Sequence, residues 1–186
     1  MGPDREATMT PMLLISMPQL ADPNFSRTVV LLCEYGTEGA FGLIVNRRMP
    51  QPAHEMVQTV PELAIREDVH LFAGGPVEPM RAWVLTSRAS LDEDATEVAD
   101  GVFLSASPSA IRTALQSPPG RDMKVVVGYA GWSAGQLDEE LAQSSWLLAP
   151  VGADLIFGSA PSKMWDQAIH RLGADPAHLL GSPGVH

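Results

Sequence analysis

Cysteine is nearly absent from this chain: Cys33 stands alone among 186 residues. One thiol excludes an intrachain disulfide, which fits a reducing cytoplasm and argues against a stapled secreted domain. Long apolar runs are missing as well. The longest, such as residues 29–32 and 125–127, fall far short of the roughly 18 residues a membrane helix needs and read as buried strands. Asp4, Arg5 and Glu6 interrupt the N-terminus, so no secretory signal is read there. Glu6 also stands where a myristoylation site places Ser or Thr. Positive charge is scarce: Lys+Arg total 12 against 22 Asp+Glu, a formal net charge of −10. That balance argues against a general nucleic-acid binder, which needs cations to displace counterions from phosphate. It leaves room for a local basic site around the adjacent pair Arg47-Arg48.

What is present suits a globular domain. Hydrophobic residues make up 45% and charged residues 18%, which argues against disorder. One domain is expected over residues 12–180, between a flexible tail at 1–11 and a frayed tail at 181–186. β-Prone segments at 28–35 and 40–46, joined by Gly36-Thr37-Glu38-Gly39, predict a hairpin. Residues 47–52 read as a loop, and 54–60 as a short helix ending before Pro61. Strands follow at 69–73, 81–86 and 102–105, the last after an acidic loop at 91–100. Ser107 and Pro108 supply an N-cap and a first helical proline for a helix that Pro118-Pro119-Gly120 stops. Residues 123–129 form the most apolar strand, followed by a turn at 130–132 and a helix at 133–143. Residues 146–149 read as extended and 153–157 as a short helix. Met164, Trp165, Ala168, Ile169 and Leu172 give segment 162–172 one apolar helical face, with Gly173 as its C-cap. Strands dominate early and mix with helices late, which is the α+β pattern.

The sharpest local motif is Gly131-Trp132-Ser133-Ala134-Gly135. It matches G-x-S-x-G, the strand-to-helix nucleophile elbow of α/β-hydrolases. A serine hydrolase built on Ser133 would draw on Asp154 or Asp166 and on His170 or His178. Ser133 and Gln136 also have the spacing of a capping box, and no oxyanion loop of the HGGG type precedes the motif. The cap is the favoured reading, worth ~1 kcal/mol, and no catalytic residue is assigned. His54-Glu55 opens like H-E-x-x-H but ends in Gln58. The acidic run from Asp92 to Asp100 lacks the spacing of a calcium loop. No phosphate-binding glycine motif occurs, so neither metal nor cofactor is expected. Gly74-Gly75-Pro76 reads as a structural turn, Cys33 as an inert core thiol, and Trp83 and Trp165 as core. Trp132 and Trp146 flank Asp138-Glu139-Glu140, where an aromatic pair beside carboxylates can line a groove. Packing is their favoured role.

Several segments together resemble a known family. Leu14-Ile15-Ser16-Met17-Pro18, then Asp22-Pro23-Asn24-Phe25-Ser26-Arg27-Thr28, resemble the opening of the YqgE/AlgH family. Gly42-Leu43-Ile44-Val45-Asn46, Gly74-Gly75-Pro76-Val77 and Gly128-Tyr129-Ala130-Gly131-Trp132 are similar to its later motifs. So are Ala134-Gly135-Gln136-Leu137 with Glu140, and Ser145-Trp146-Leu147. The resemblance spans residues 12–180. It implies a single α+β domain with a bifurcated mixed β-sheet, a small closed barrel and surrounding helices. It also implies a bacterial, cytoplasmic, non-enzymatic binding or regulatory protein. The family name associates it with transcriptional regulation, expected here to act indirectly through an unknown protein or small-molecule partner. Neither direct nucleic-acid binding nor membrane attachment is expected. The candidate binding surface gathers the motif residues Arg27, Asn46, Trp132, Gln136, Glu140 and Trp146. Two positions depart from the family pattern that the resemblance implies: Ser133 stands where many relatives carry Gly, and Gly158 where relatives often carry Asp.

Overall fold

The computed structural model describes residues 11–180, apart from 19, 21 and 58–62. The tails expected at 1–11 and 181–186 therefore lie, Pro11 excepted, outside the described residues. Among the described residues ten strands are formed: β1 (Met12–Ser16), β2 (Val29–Gly36), β3 (Gly39–Ile44), β4 (Arg48–Pro52), β5 (His70–Ala73), β6 (Val77–Thr86), β7 (Thr96–Ala99), β8 (Val102–Ser105), β9 (Met123–Ser133) and β10 (Trp146–Pro150). Six helices accompany them: α1 (Ala53–Met56), α2 (Pro108–Gln116), α3 (Gln136–Ala142), α4 (Ala153–Gly158), α5 (Pro161–Arg171) and α6 (Pro176–Leu180). The strands share one mixed sheet in the order β10-β1-β2-β3-β9-β6-β8-β7, with β5 and β4 branching off β9.

The run Val29-Val30-Leu31-Leu32 shows why a short, unbroken apolar segment becomes a strand here. Its side chains alternate between two cores, as a strand buried on both faces requires. Val29 and Leu31 join Leu13, Ile15 and Leu43 in the main core. Val30 and Leu32 join Leu14, Ile44, Trp132 and Trp146 in a second. A third core lies beneath α2, where Ala110, Ala114 and Leu115 pack on Leu71, Val84 and Val125.

β9 is the strand at which the sheet forks. Its first half pairs with β6 on one edge and runs parallel to β5 on the other, with Phe72 opposite Val126. Its second half pairs with β3, with Phe41 opposite Gly131. Gly74 bridges the fork: its N–H donates to the Val127 carbonyl at 2.7 Å, and its own carbonyl accepts from Ile44 N–H at 2.8 Å. The backbones touch here. A Cβ on Gly75 would fall 2.1 Å from the carbonyl carbon of Tyr129, and one on Gly128 would fall 2.4 Å from the Gly75 oxygen. Gly74-Gly75-Pro76 and Gly128 thus belong to one junction, where only glycine permits the approach.

The closed barrel is not formed. β10 and β7 are the ends of the strand path and do not pair with each other, so the sheet is a curled, open half-barrel. Leu155, Ile156, Met164, Trp165 and Ile169 of α4 and α5 share the main core with Val102 and Ala149.

Local departures have local causes. Residues 47–52, expected as a loop, contain edge strand β4, which meets β5 only at Arg48 with Phe72 and Pro52 with His70. Its prolines donate no ladder bond and are tolerated only on such an edge. The acidic loop at 91–100 contains β7, recruited by pairing with β8. The helix expected at 54–60 ends at Met56, with Val57 extended, and residues 58–60 lie outside the described residues. The turn expected at 130–132 is strand, because β3 supplies a ladder partner there. Leu172, expected inward, is 37% exposed, while Met164, Trp165, Ala168 and Ile169 are buried as the periodicity predicts.

Candidate functional site

Four of the six candidate residues meet around one carboxylate. Gly135, in the left-handed region at φ 77°, opens α3. This turn sets Gln136 and Glu140 one helical turn apart on the same face. Glu140 Oε2 accepts the indole N–H of Trp132 at 2.7 Å and that of Trp146 at 2.9 Å. Gln136 Nε2 donates to Glu140 Oε1 at 3.3 Å, and its Oε1 accepts the Ser133 N–H at 3.1 Å. Phe25 completes the cage, with its ring 6.2 Å from that of Trp132 and 5.5 Å from that of Trp146. Both tryptophans are buried, so they brace the fold from inside and do not line an open groove.

Arg27 and Asn46 form a second group. Asn46 Oδ1 accepts the Val29 N–H at 2.9 Å, and its Nδ2 donates to the Arg27 carbonyl at 3.0 Å. Arg27 adopts φ 51°, a conformation few non-glycine residues occupy. Its guanidinium lies 4.9 Å from the centre of the Trp165 ring and 3.3 Å from Asp166. Arg47 donates to the carbonyls of Asn24 and Ser26, so residues 46 and 47 clamp the turn that carries Phe25 and Arg27. The two groups are neighbours through that turn: Phe25 packs on the tryptophan pair and Arg27 on Trp165.

Ser133 is neither an elbow nor a cap. It ends β9 in strand conformation, exposed, and its Oγ partners Gln136 Oε1 at 3.3 Å. No side-chain cap bond is made at the start of α3, where Gly135 takes the N-cap position. Half of the expected capping box survives, as the bond from Ser133 N–H back to Gln136. Cys33 is half-buried beside an acidic groove of about 480 Å³ that Glu34, Glu38 and Glu97 also line. Burial, then the Glu34 charge, push its thiol up to about 12, which leaves little nucleophilic thiolate at neutral pH. Among the described residues, no three His, Cys, Asp or Glu side chains converge as a metal site, and no helix is long and apolar enough to cross a membrane.

One group escaped the sequence reading. A cleft of about 310 Å³ opens beside β5 and the first half of β9, with Arg48, His70, Phe72 and Lys124 among its lining residues. The register explains the grouping. Arg48 lies opposite Phe72, Phe72 opposite Val126, and Leu71 opposite Val125. Side chains alternate along a strand, so Arg48, His70, Phe72 and Lys124 share one face. Lys124 is buried. Its Nζ donates to the Val45 carbonyl at 2.7 Å and lies 4.5 Å from the centre of the Phe72 ring. Arg48 Nη2 donates to His70 Nδ1 at 2.8 Å. Burial pushes the Lys124 ammonium down to about 7. A signal was available: Lys124 is one of only two lysines, and it sits in the most apolar strand.

The AlgH-like family pattern matches residues 13–177. A UPF0301 protein of Myxococcus xanthus is 39% identical over 180 residues, covering 96% of this chain and 98% of the relative. Another, from Thioalkalivibrio sulfidiphilus, is 35% identical over 184 residues, covering 96% and 97%. The solution structure of the AlgH protein from Pseudomonas aeruginosa covers 100% of both chains at 30% identity, with a TM-score of 0.73. A crystal structure from Corynebacterium diphtheriae, at 22% identity and a TM-score of 0.67, covers 92% of this chain and 89% of its own and shares the fold.

Proposed function

The chain belongs to the AlgH-like family, and from that premise we propose that it is a cytoplasmic, non-enzymatic binding protein that regulates through a partner. This role is preferred to hydrolysis at Ser133 and to direct contact with DNA. The observation that carries it is the strained, clamped presentation of Arg27. A non-glycine residue at φ 51° costs backbone energy and persists only where its surroundings over-determine it, as they do at ligand clamps and switches. Asn46, Arg47, Trp165 and Asp166 supply that over-determination, while the guanidinium stays exposed. In this reading, Arg27 and Gln136 are the contact residues of the surface. Asn46, Trp132, Glu140 and Trp146 hold them in place.

The test compares affinity capture from the source bacterium by the wild-type chain and by the double variant Arg27→Ala, Gln136→Ala, with folding checked by circular dichroism. Partners enriched on the wild-type chain should be lost from the folded variant. An identical partner set would overturn the surface. A gel shift by the pure protein at moderate salt would overturn the indirect route.

A further inference from the structure

We propose that the cleft between β5 and β9 is a binding site for a small oxyanion, a phosphate or carboxylate group, held by Arg48, His70 and Lys124. This is a site separate from the Arg27 surface. The protein carries a net charge of −10, yet here the sheet register gathers three basic side chains on one face. Each is placed to serve an anion differently. Arg48 is exposed at the mouth, and its planar fork matches an oxyanion in two-point contact. His70 accepts from Arg48 through Nδ1, which leaves its Nε2–H free in tautomeric terms to donate elsewhere. Lys124 is the inner group. An ammonium offers three donors, and the Val45 carbonyl takes one.

The walls favour charge recognition. Phe72, Phe157 and Pro161 line the same cleft, and an apolar lining strengthens a cation–anion attraction by excluding water. The acidic group facing the cleft is Asp68, and Arg66 already holds it in a two-point pair at 2.8 and 2.9 Å. No carboxylate among the described residues pairs with Lys124, so a buried amine faces the cleft with no carboxylate to hold its proton. An incoming oxyanion would supply it.

The test titrates the full chain with inorganic phosphate and, separately, with benzoate, followed by amide NMR shifts and calorimetry at pH 7.5. At least one probe should shift amides of residues 70–73 and 123–126 at saturable concentrations. The two arms separate a phosphate site from a carboxylate site with an apolar body. Binding should weaken about tenfold or more in Arg48→Ala and in Lys124→Met and stay unchanged in Lys163→Met. An anion beside Lys124 stabilises its charged form. Binding should therefore take up a proton at Lys124 beyond any that phosphate or His70 exchanges, read as a dependence of the heat on buffer ionisation enthalpy that Lys124→Met lowers. Arg48 is exposed, so its variant keeps the test decisive if Lys124→Met folds poorly. Shifts scattered over the surface, or equal binding by the wild-type chain and Arg48→Ala, would overturn the site.

Discussion

Trp132 donates its indole N–H to the Glu140 carboxylate at 2.7 Å, and this bond ties the end of β9 to α3. The same oxygen accepts from Trp146 on β10, so one carboxylate joins three elements. Removing it strands two buried donors, each of which costs on the order of 1–3 kcal/mol when unpaired. Glu140→Ala should therefore lose about 2–5 kcal/mol in urea unfolding followed by tryptophan fluorescence. Glu140→Gln, which keeps an acceptor but not the charge, should lose about 1 kcal/mol. A loss below that for the alanine variant would mean that water replaces the carboxylate.

Gly75 and Gly36 make a matched pair. A Cβ at Gly75 would strike the Tyr129 backbone, while one at Gly36 would meet nothing within 4 Å. Backbone cannot swing aside as a side chain can, so Gly75→Ala should cost more than about 3 kcal/mol or prevent folding. Gly36→Ala should stay within about 0.5 kcal/mol of the wild-type chain. Equilibrium denaturation of both reads the difference.

At the start of α3 the cost should fall on Gly135, not on Ser133. Ser133 is exposed and caps nothing, so Ser133→Ala should change stability by less than about 0.5 kcal/mol. Gly135→Ala forces a side chain to φ 77° and should cost about 1–2 kcal/mol. A fluorophosphonate probe should leave Ser133 unlabelled. Stoichiometric labelling would restore the hydrolase reading.

Lys124 gives stability a pH dependence whose sign can be worked out. Between about 7 and its ordinary 10.5, the unfolded chain holds the proton and the folded chain has released it. Stability contributed through this group therefore rises with pH across that window. Below it both states are charged, and the folded state bears the full cost of burying the ammonium. Lys124→Met carries no such cost. Its stability relative to the wild-type chain should be most favourable at or below pH 7 and should decline toward pH 10. Urea midpoints measured at both ends check the slope, and a flat difference would show that Lys124 stays charged in the fold.

Much of the scaffold was legible in local pattern. The Gly36–Gly39 hairpin pairs as the turn chemistry predicts. Ser107 caps α2 by accepting the Ala110 N–H, and Pro108 follows it as the first helical residue. The inward stripe of α5 needed only its 3.6-residue period. Cys33, expected in the core, is half-buried beside a groove, and burial raises its thiol. In three segments a distant partner overrides local preference. β3 keeps residues 130–132 extended, β8 draws 96–99 into a strand, and β5 accepts a proline-rich edge.

The candidate residues divide in the same way. By itself the sequence determined an acidic α+β domain with one thiol and no long apolar span, and it marked the motif residues as important without saying how. Tertiary structure decided which of them are bracing and which are exposed, because their hydrogen-bond partners, from 3 to 139 positions apart, are set by how the elements pack. It also decided that Arg48, His70 and Lys124 share a cleft. Their spacing in the chain carries no such information. A parallel register between β5 and β9 places them on one face, and burial then gives Lys124 a property that no free lysine has.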